Sequence, residues 1–210
     1  MRNARKRIAA VITALLAFAV ILVTANCGAA RPVKYYTLNP SPTPEPSVNV
    51  ESNASLPVTI LVGRITASHL YLDSAIVYDA GVELGTYEHH RWAEVPTEMI
   101  ESMLTESLRA TGKFRSVGRL GSRARGDYIL RGHLYALEEV DSPSIAARFS
   151  LELELFQPKT GTVVWSQSYT HDEPVGRKTV PAVVEALRQD VVAGIGQLTT
   201  SLGAYLSSHS

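Results

Sequence analysis

Four of the six histidines fall in predicted strands, and histidine is the side chain that most often binds zinc or transfers protons at neutral pH. His89 and His90 are adjacent in a segment that favours a β-strand, so their side chains point to opposite faces. His133 and His171 lie on other predicted strands. A site that joins His89 or His90 to His133 and His171 stays open as an alternative. The sequence has no His-Glu-x-x-His helix, paired-cysteine motif or acidic metal loop, so we predict no metal ligand.

Carboxylates and hydroxyls give no stronger indication of catalysis. Glu152 and Glu154 share one face of an alternating segment, where two carboxylates can act as acid and base. They lie on its polar side, which favours solvation. The sequence has neither a Gly-x-Ser-x-Gly motif nor a glycine-rich phosphate loop, and Ser122 falls in a basic stretch, residues 119–125, typical of a surface turn. We therefore predict no catalytic residue and no cofactor, and a binding or scaffold protein rather than an enzyme.

Composition limits the function classes further. The 210 residues include 20 basic and 20 acidic side chains, and 45% are hydrophobic. These values are typical of one globular domain. Four of the basic residues precede Cys27, so the remainder carries a net charge of −4. A mildly acidic body does not attract phosphate, and we predict no nucleic-acid partner.

The N-terminus has the layout of an export signal. Basic residues occur within residues 2–7, and residues 8–25 form an apolar run of 18 residues. Cys27 follows, and the segment from Thr24 to Gly28 resembles a bacterial lipobox, although Thr24 and Asn26 replace the favoured residues. We predict a signal peptide over residues 1–26, lipidation of Cys27 and a lipidated tether over residues 27–33. The alternative is an uncleaved helix anchor, since about 20 apolar residues span a bilayer. Either form tethers the protein to a membrane.

The remaining sequence predicts an α+β domain over residues 34–210. A β-prone run at residues 34–38 precedes a proline-rich insert at residues 39–55, which we interpret as a spacer. Strands are predicted over residues 57–65, 76–80, 83–93, 127–138, 147–156 and 162–171. Helices are predicted over residues 96–111 and 179–206. The alternation at residues 147–156 indicates a mostly antiparallel sheet with one wet face and two helices packed on the other.

Four segments resemble the family of ABC-type transport auxiliary lipoproteins, which includes the paraquat-inducible PqiC-like group. They are Tyr-Tyr-Thr-Leu at residues 35–38, the stretch at residues 69–78, Arg-Trp-Ala-Glu-Val-Pro at residues 91–96, and Asp-Tyr-Ile-Leu-Arg-Gly at residues 127–132. Each is short, but their order and spacing make the set specific. The resemblance extends from about residue 34 to residue 206.

The resemblance implies a periplasmic, lipid-anchored accessory of an ABC transport system. Its implied partners are an MCE-domain substrate-binding protein, a permease and an ATPase, and its implied cargo is phospholipid or another hydrophobic molecule. Gly28 follows the cysteine where aspartate would retain a lipoprotein at the inner membrane, so we expect the outer membrane. Tyr71 and Trp92 are candidate partner contacts because aromatic residues dominate interfaces; the alternative is core packing.

Two other functions, and association with a second copy of the chain, are also open. A lipid-binding carrier would enclose an acyl chain between the sheet and the long helix, and a periplasmic hydrolase would use His133 and His171. Free edge strands would also allow a homo-oligomer.

Overall fold

The alternating C-terminal half of the sequence forms the longest strands of an eight-stranded sheet. The computed structural model describes residues 31–39, 56–121, 125–141 and 143–209. The predicted signal peptide, Cys27 and nearly all of the proline-rich insert lie outside these residues. The strands are β1 Lys34–Tyr36, β2 Leu56–Ala67, β3 Ala75–Asp79, β4 Leu84–Trp92, β5 Phe114–Arg119, β6 Tyr128–Asp141, β7 Ile145–Gln157 and β8 Thr162–Pro174. The helices are α1 Pro96–Ala110 and α2 Val180–Ser208, and a 3₁₀ helix spans His69–Tyr71.

Strand β6 organises the sheet. One of its sides pairs with β7 through twelve antiparallel residue pairs, and β7 pairs with β8 through twelve more. Its other side is shared by two strands that follow one another along the chain. β2 pairs in parallel with the first half of β6, and β3 pairs in parallel with the second half. β2, the 3₁₀ helix and β3 therefore act as one interrupted strand along β6.

The interruption divides that side of the sheet into two wings. In one wing, β5 pairs in parallel with β2. In the other, β4 pairs antiparallel with β3, and β1 pairs in parallel with β4. The predicted α+β class and the mostly antiparallel sheet are confirmed, since the longest pairings are antiparallel. The parallel pairs were not predicted, because side-chain alternation does not report strand direction.

Both helices pack on the same face of the sheet. α1 begins with Pro96 at its first turn and lies over β2 and β5, while α2 lies over β7 and β8 and also contacts α1. One hydrophobic core lies between the helices and the sheet. Its largest fully buried side chains include Trp92, Phe149, Met99, Ile100, Leu104 and Leu130. Among the described residues, no helix has the length and apolar character needed to cross a membrane.

A close approach fixes how α2 lies on the sheet. A Cβ atom at Gly194 would stand 2.7 Å from the ring of Tyr169 and 3.0 Å from that of Phe149. A side chain there would overlap the sheet, so this glycine allows the helix to lie close to β7 and β8. Gly196 has no heavy atom within 4 Å of the same position, so it has no such role.

Candidate functional site

The face of the sheet opposite the helices is polar and partly open to solvent. Residues opposite one another on paired strands share a face, so the register of β6, β7 and β8 defines its rows. We call these residues the open face: Arg131, Glu154 and Ser166; His133, Glu152 and Ser168; Ala136, Ser150 and Thr170; and Glu138, Arg148 and Asp172. The sequence prediction of one wet face thus holds for the C-terminal strands.

Two arginines of the open face bind carboxylates on the neighbouring strand. Arg131 binds Glu154 at 3.0 Å, and Arg148 donates two hydrogen bonds of 2.8 Å to Asp172. The Tyr135 hydroxyl donates to Glu152 Oε2 at 2.8 Å. Glu154 and Glu152 therefore lie on the polar side of β7 as predicted, each with a hydrogen-bond donor. This arrangement is a hydrogen-bonding surface rather than an acid–base pair directed at a substrate.

Tyr135 is the most exposed aromatic side chain on this surface. It is 55% exposed and lines two shallow cavities of about 440 and 650 Å³. Its ring lies 4.5 Å from that of His133, which also contacts the Thr66 hydroxyl at 2.8 Å. His133 is therefore occupied by contacts with neighbouring polar and aromatic groups.

His171 lies on the other face of the sheet. It is opposite Phe149, whereas His133 is opposite Glu152, and residues 149 and 152 point to opposite sides of β7. The sheet therefore separates the two histidines of the proposed hydrolase site. His89 lies beside Glu88, and among the described residues no cluster of three potential ligands could hold a metal ion.

His171 is exposed, but its ring contacts a buried carboxylate of α2. Its Nδ1 lies 3.0 Å from Oδ1 of Asp190, which also accepts a hydrogen bond of 2.6 Å from the Tyr169 hydroxyl. Asp190 is 2% exposed, and burial raises the pKa of its carboxyl above the ordinary value. The described contacts bring neither serine nor cysteine to His171, so this aspartate–histidine pair lacks a nucleophile. A carboxylate within the apolar stripe of α2 is the sequence signal that could have identified the cluster.

The two aromatic candidates for partner contact lie inside the protein. Trp92 is 1% exposed, and Tyr71 is 4% exposed. The Tyr71 hydroxyl donates to Glu138, and the backbone N–H of Trp92 donates to Ser74 O at 2.7 Å. These positions fit the alternative of core packing. A partner contact through either side chain stays a prediction and requires the local structure to open.

The remaining segments that resemble the family contain residues that connect elements distant in the chain. The Tyr36 hydroxyl contacts His90 Nδ1 at 2.8 Å, which holds β1 against β4. Asp127 accepts a hydrogen bond from the Thr59 N–H at 2.8 Å, where β6 meets β2. A Cβ at Gly132 would overlap the backbone oxygen of Glu152, so this position admits only glycine without a backbone shift. These residues therefore specify the fold.

The apolar space between the helices is small. A cavity of about 250 Å³ is lined by Met103, Ala110, Val192 and Ile195, among others. Sites for small organic ligands commonly enclose about 300–1,000 Å³. The carrier hypothesis instead places the acyl chain between the sheet and α2, where Gly194 packs closely against Tyr169 and Phe149.

The sequence model of the ABC-type transport auxiliary lipoprotein component matches residues 36–198. The chain belongs to this family. It is therefore an auxiliary lipoprotein of an ABC transport system, and its family places it in the cell envelope as a membrane-anchored protein.

Solved structures show how widely the fold of this auxiliary lipoprotein occurs. A protein from Xanthomonas campestris is 22% identical, with a TM-score of 0.72 over 85% of this chain and 100% of its own. An uncharacterised protein is 12% identical, with a TM-score of 0.63 over 82% of this chain and 99% of its own. A hypothetical protein from Chlamydia trachomatis is 5% identical, with a TM-score of 0.50 over 72% of this chain and 99% of its own. No curated protein matches this chain significantly.

Proposed function

We propose that this auxiliary lipoprotein scaffolds or bridges an MCE-type transport system that moves phospholipid or another hydrophobic molecule between the two membranes. The observation that carries the proposal is the family match over residues 36–198. The domain offers a polar sheet face with two arginine–carboxylate pairs and no described nucleophile–base pair. These features suit a protein that binds other proteins, while ATP hydrolysis belongs to another chain.

The anchor is part of the proposal. Cys27 carries the lipid, the signal peptide of residues 1–26 is removed, and residues 27–33 form the tether. Acyl chains each contribute about 0.8 kcal/mol per buried CH₂, and two or more together hold a protein firmly on a bilayer. Gly28 after the cysteine favours the outer membrane over the inner one. In that position the domain faces the periplasm and meets the substrate-binding protein of the system.

The proposed partners are the MCE-domain substrate-binding protein, and through it the permease and the ATPase. We also propose that the protein self-associates, because free strand edges allow pairing with a strand of a second copy. The carrier hypothesis ranks second, and the close packing of α2 on the sheet at Gly194 does not favour it.

Affinity purification tests the proposal. The tagged full-length protein is crosslinked in cells, extracted from membranes and analysed by mass spectrometry for attached proteins and lipids. Recovery of an MCE-domain protein with its permease supports the accessory role. The control is an unrelated tagged outer-membrane lipoprotein with the same N-terminal segment, which should not recover them. Recovery of lipid alone would support the carrier, and recovery of neither would contradict both.

A further inference from the structure

The described sheet has one long free edge. β8 has 13 residues and pairs with β7, and no other described strand pairs with it. The wings on the opposite side end in shorter strands. β5 has six residues, two of them arginines, and β1 has three residues and begins with Lys34. Free strand edges present unpaired N–H and C=O groups and thus invite another strand.

β8 has few of the features that normally protect such an edge. Natural edge strands are short, or they carry lysine, proline or inward-pointing charges. Residues 162–170 contain no charged residue and no proline, and the strand's proline comes at its end, Pro174. Ser166, Ser168 and Thr170 are exposed. Short length and basic residues therefore protect β5 and β1 from pairing with another strand, whereas β8 has neither form of protection.

The distribution of charge around β8 suits pairing with an identical strand. In an antiparallel pair related by a two-fold axis, residues near the axis face the same residues of the other copy. A charge there would repel itself, and the centre of β8 around Ser166 to Ser168 has none. At the ends, Lys159 in the turn before β8 is exposed, and Glu173 is near the other end. Antiparallel pairing brings the basic end of one copy toward the acidic end of the other.

We propose that β8 is the self-association surface: it pairs antiparallel with β8 of a second copy, so that the two sheets become continuous. The inference rests on the self-association proposed above and specifies its surface. It requires no change in the core, since the free backbone groups of β8 already lie at the edge. Small hydroxyl side chains on the open face leave room for the second strand.

Cysteine crosslinking of the full-length protein in its membrane tests this surface. Single cysteines replace Ser166, Gln167 or Ser168 in turn, and Ser116→Cys on the exposed edge of β5 is the control. Opposed Cα atoms in an antiparallel pair lie about 4.5–5.5 Å apart, within the range that disulfides span. We expect a reducible dimer at one or two adjacent β8 positions and none at Ser116. Crosslinking at Ser116 with none along β8 would overturn the inference.

A charge variant keeps the test independent of disulfide geometry. The double variant Ser166→Lys and Ser168→Lys places like charges next to the proposed axis, on side chains that are exposed in one copy. Light scattering of the detergent-solubilised protein should show the oligomer mass reduced at least two-fold, while Ser116→Lys leaves it unchanged. An unaltered oligomer in the β8 variant would refute this surface and leave self-association intact. A monomeric wild-type protein would refute both the β8 surface and self-association. The accessory role is tested separately by recovery of the MCE-domain protein.

Discussion

The Tyr71 hydroxyl donates a hydrogen bond of 2.5 Å to Oε2 of Glu138, which ties the 3₁₀ helix to the second half of β6. Both residues are buried, Glu138 being 6% exposed. The bond is formed where β2 ends and β3 begins, so it holds the interrupted strand against β6. Tyr87 makes the corresponding contact with Glu139 at 2.5 Å. Two adjacent carboxylates of β6 are thus each held by a tyrosine, one from the 3₁₀ helix and one from β4.

Removing the Tyr71 hydroxyl should destabilise the domain. Tyr71→Phe leaves a buried carboxylate without its donor, and such losses cost about 1–3 kcal/mol. Urea denaturation at neutral pH measures the change in the free energy of unfolding. Tyr135→Phe is the matched control, because it removes a hydroxyl from an exposed tyrosine that also binds a glutamate. Its effect should be much smaller, since water replaces the lost donor, and equal losses in the two variants would contradict the structural role of Tyr71.

The buried carboxyl of Glu138 gives the fold a specific pH dependence. Burial raises its pKa above the ordinary 4.5, so the folded state holds the proton more tightly than the unfolded chain does. Its contribution to stability is full below pH 4.5 and is lost as the pH rises through the folded pKa. Glu138→Gln should therefore flatten the decline in unfolding free energy above pH 4.5, measured by urea titration at a series of pH values.

Glu185 provides the control of opposite sign. Arg188 and Gln189 lower the pKa of its carboxyl to about 2, so its contribution is present above pH 4.5 and is lost as the pH falls toward 2. Glu185→Gln should change the pH dependence of the unfolding free energy below pH 4.5 and leave it unchanged above pH 4.5. If Glu138→Gln had no effect above pH 4.5, the burial argument would fail.

The contact between Tyr36 and His90 should make the docking of β1 sensitive to acid. Burial, assisted by the nearby Lys34, lowers the pKa of His90 below 6.5. The unfolded form therefore binds the proton more readily, and stability from this group is lost as the pH falls from 6.5 through the lowered folded pKa. Hydrogen exchange, corrected for its intrinsic pH dependence, should show weaker protection of residues 34–38 as the pH falls through this window. His90→Gln should remove that change, and an unaltered pH dependence in the variant would count against this role of His90.

Two glycines of α2 offer a matched pair of substitutions. Gly194→Ala places a methyl group against Tyr169 and Phe149, and overpacking of this kind costs about 1–3 kcal/mol. Gly196→Ala meets open space, and the better helix propensity of alanine should stabilise by about 0.5–1 kcal/mol. Thermal unfolding compares the two variants, which should shift the transition temperature in opposite directions. Shifts of the same sign would contradict the close packing at Gly194.

Changing Cys27 distinguishes the two proposed anchors. If the cysteine is lipidated, Cys27→Ser should abolish incorporation of labelled palmitate and leave the uncleaved chain, which mass spectrometry detects. The control is Gly28→Ala, which alters the neighbouring residue, keeps the cysteine and should keep the label. An uncleaved helix anchor predicts instead that the wild-type protein already has its full length and no label.

The sequence predicted the long strands and both helices because each has one buried face and one exposed face, which gives a regular pattern of apolar residues. In β7, Phe149, Leu151 and Leu153 are completely buried, and the residues between them face the open side. β5 was missed because it has two buried residues, Phe114 and Val117, in a six-residue segment that includes two arginines and a glycine. Periodicity needs more positions than that to separate strand from loop.

The side-chain clusters were harder to predict because they depend on pairing between distant segments. The apolar stripe around Asp190 marks a buried carboxylate, but it does not show that the register of β8 brings His171 within 3.0 Å of it. In the same way, the opposite faces of His133 and His171 follow from the register across β7. The family motifs were predictive of the fold because several of their residues form its junctions, such as Tyr36 with His90 and Asp127 with Thr59.

The edge of β6 that β2 and β3 share also determines the order in which the chain can fold. β6, β7 and β8 are joined by short turns, so they can form a meander from local contacts. The partners on the other edge come from far away in the chain: 68 residues separate Thr59 from Asp127, and 67 separate Tyr71 from Glu138. Closing loops of this length costs entropy before any contact is gained, and sheets dominated by such pairings fold in roughly milliseconds to seconds. Capture of the β2–β3 segment by a preformed meander is therefore the expected slow step of folding.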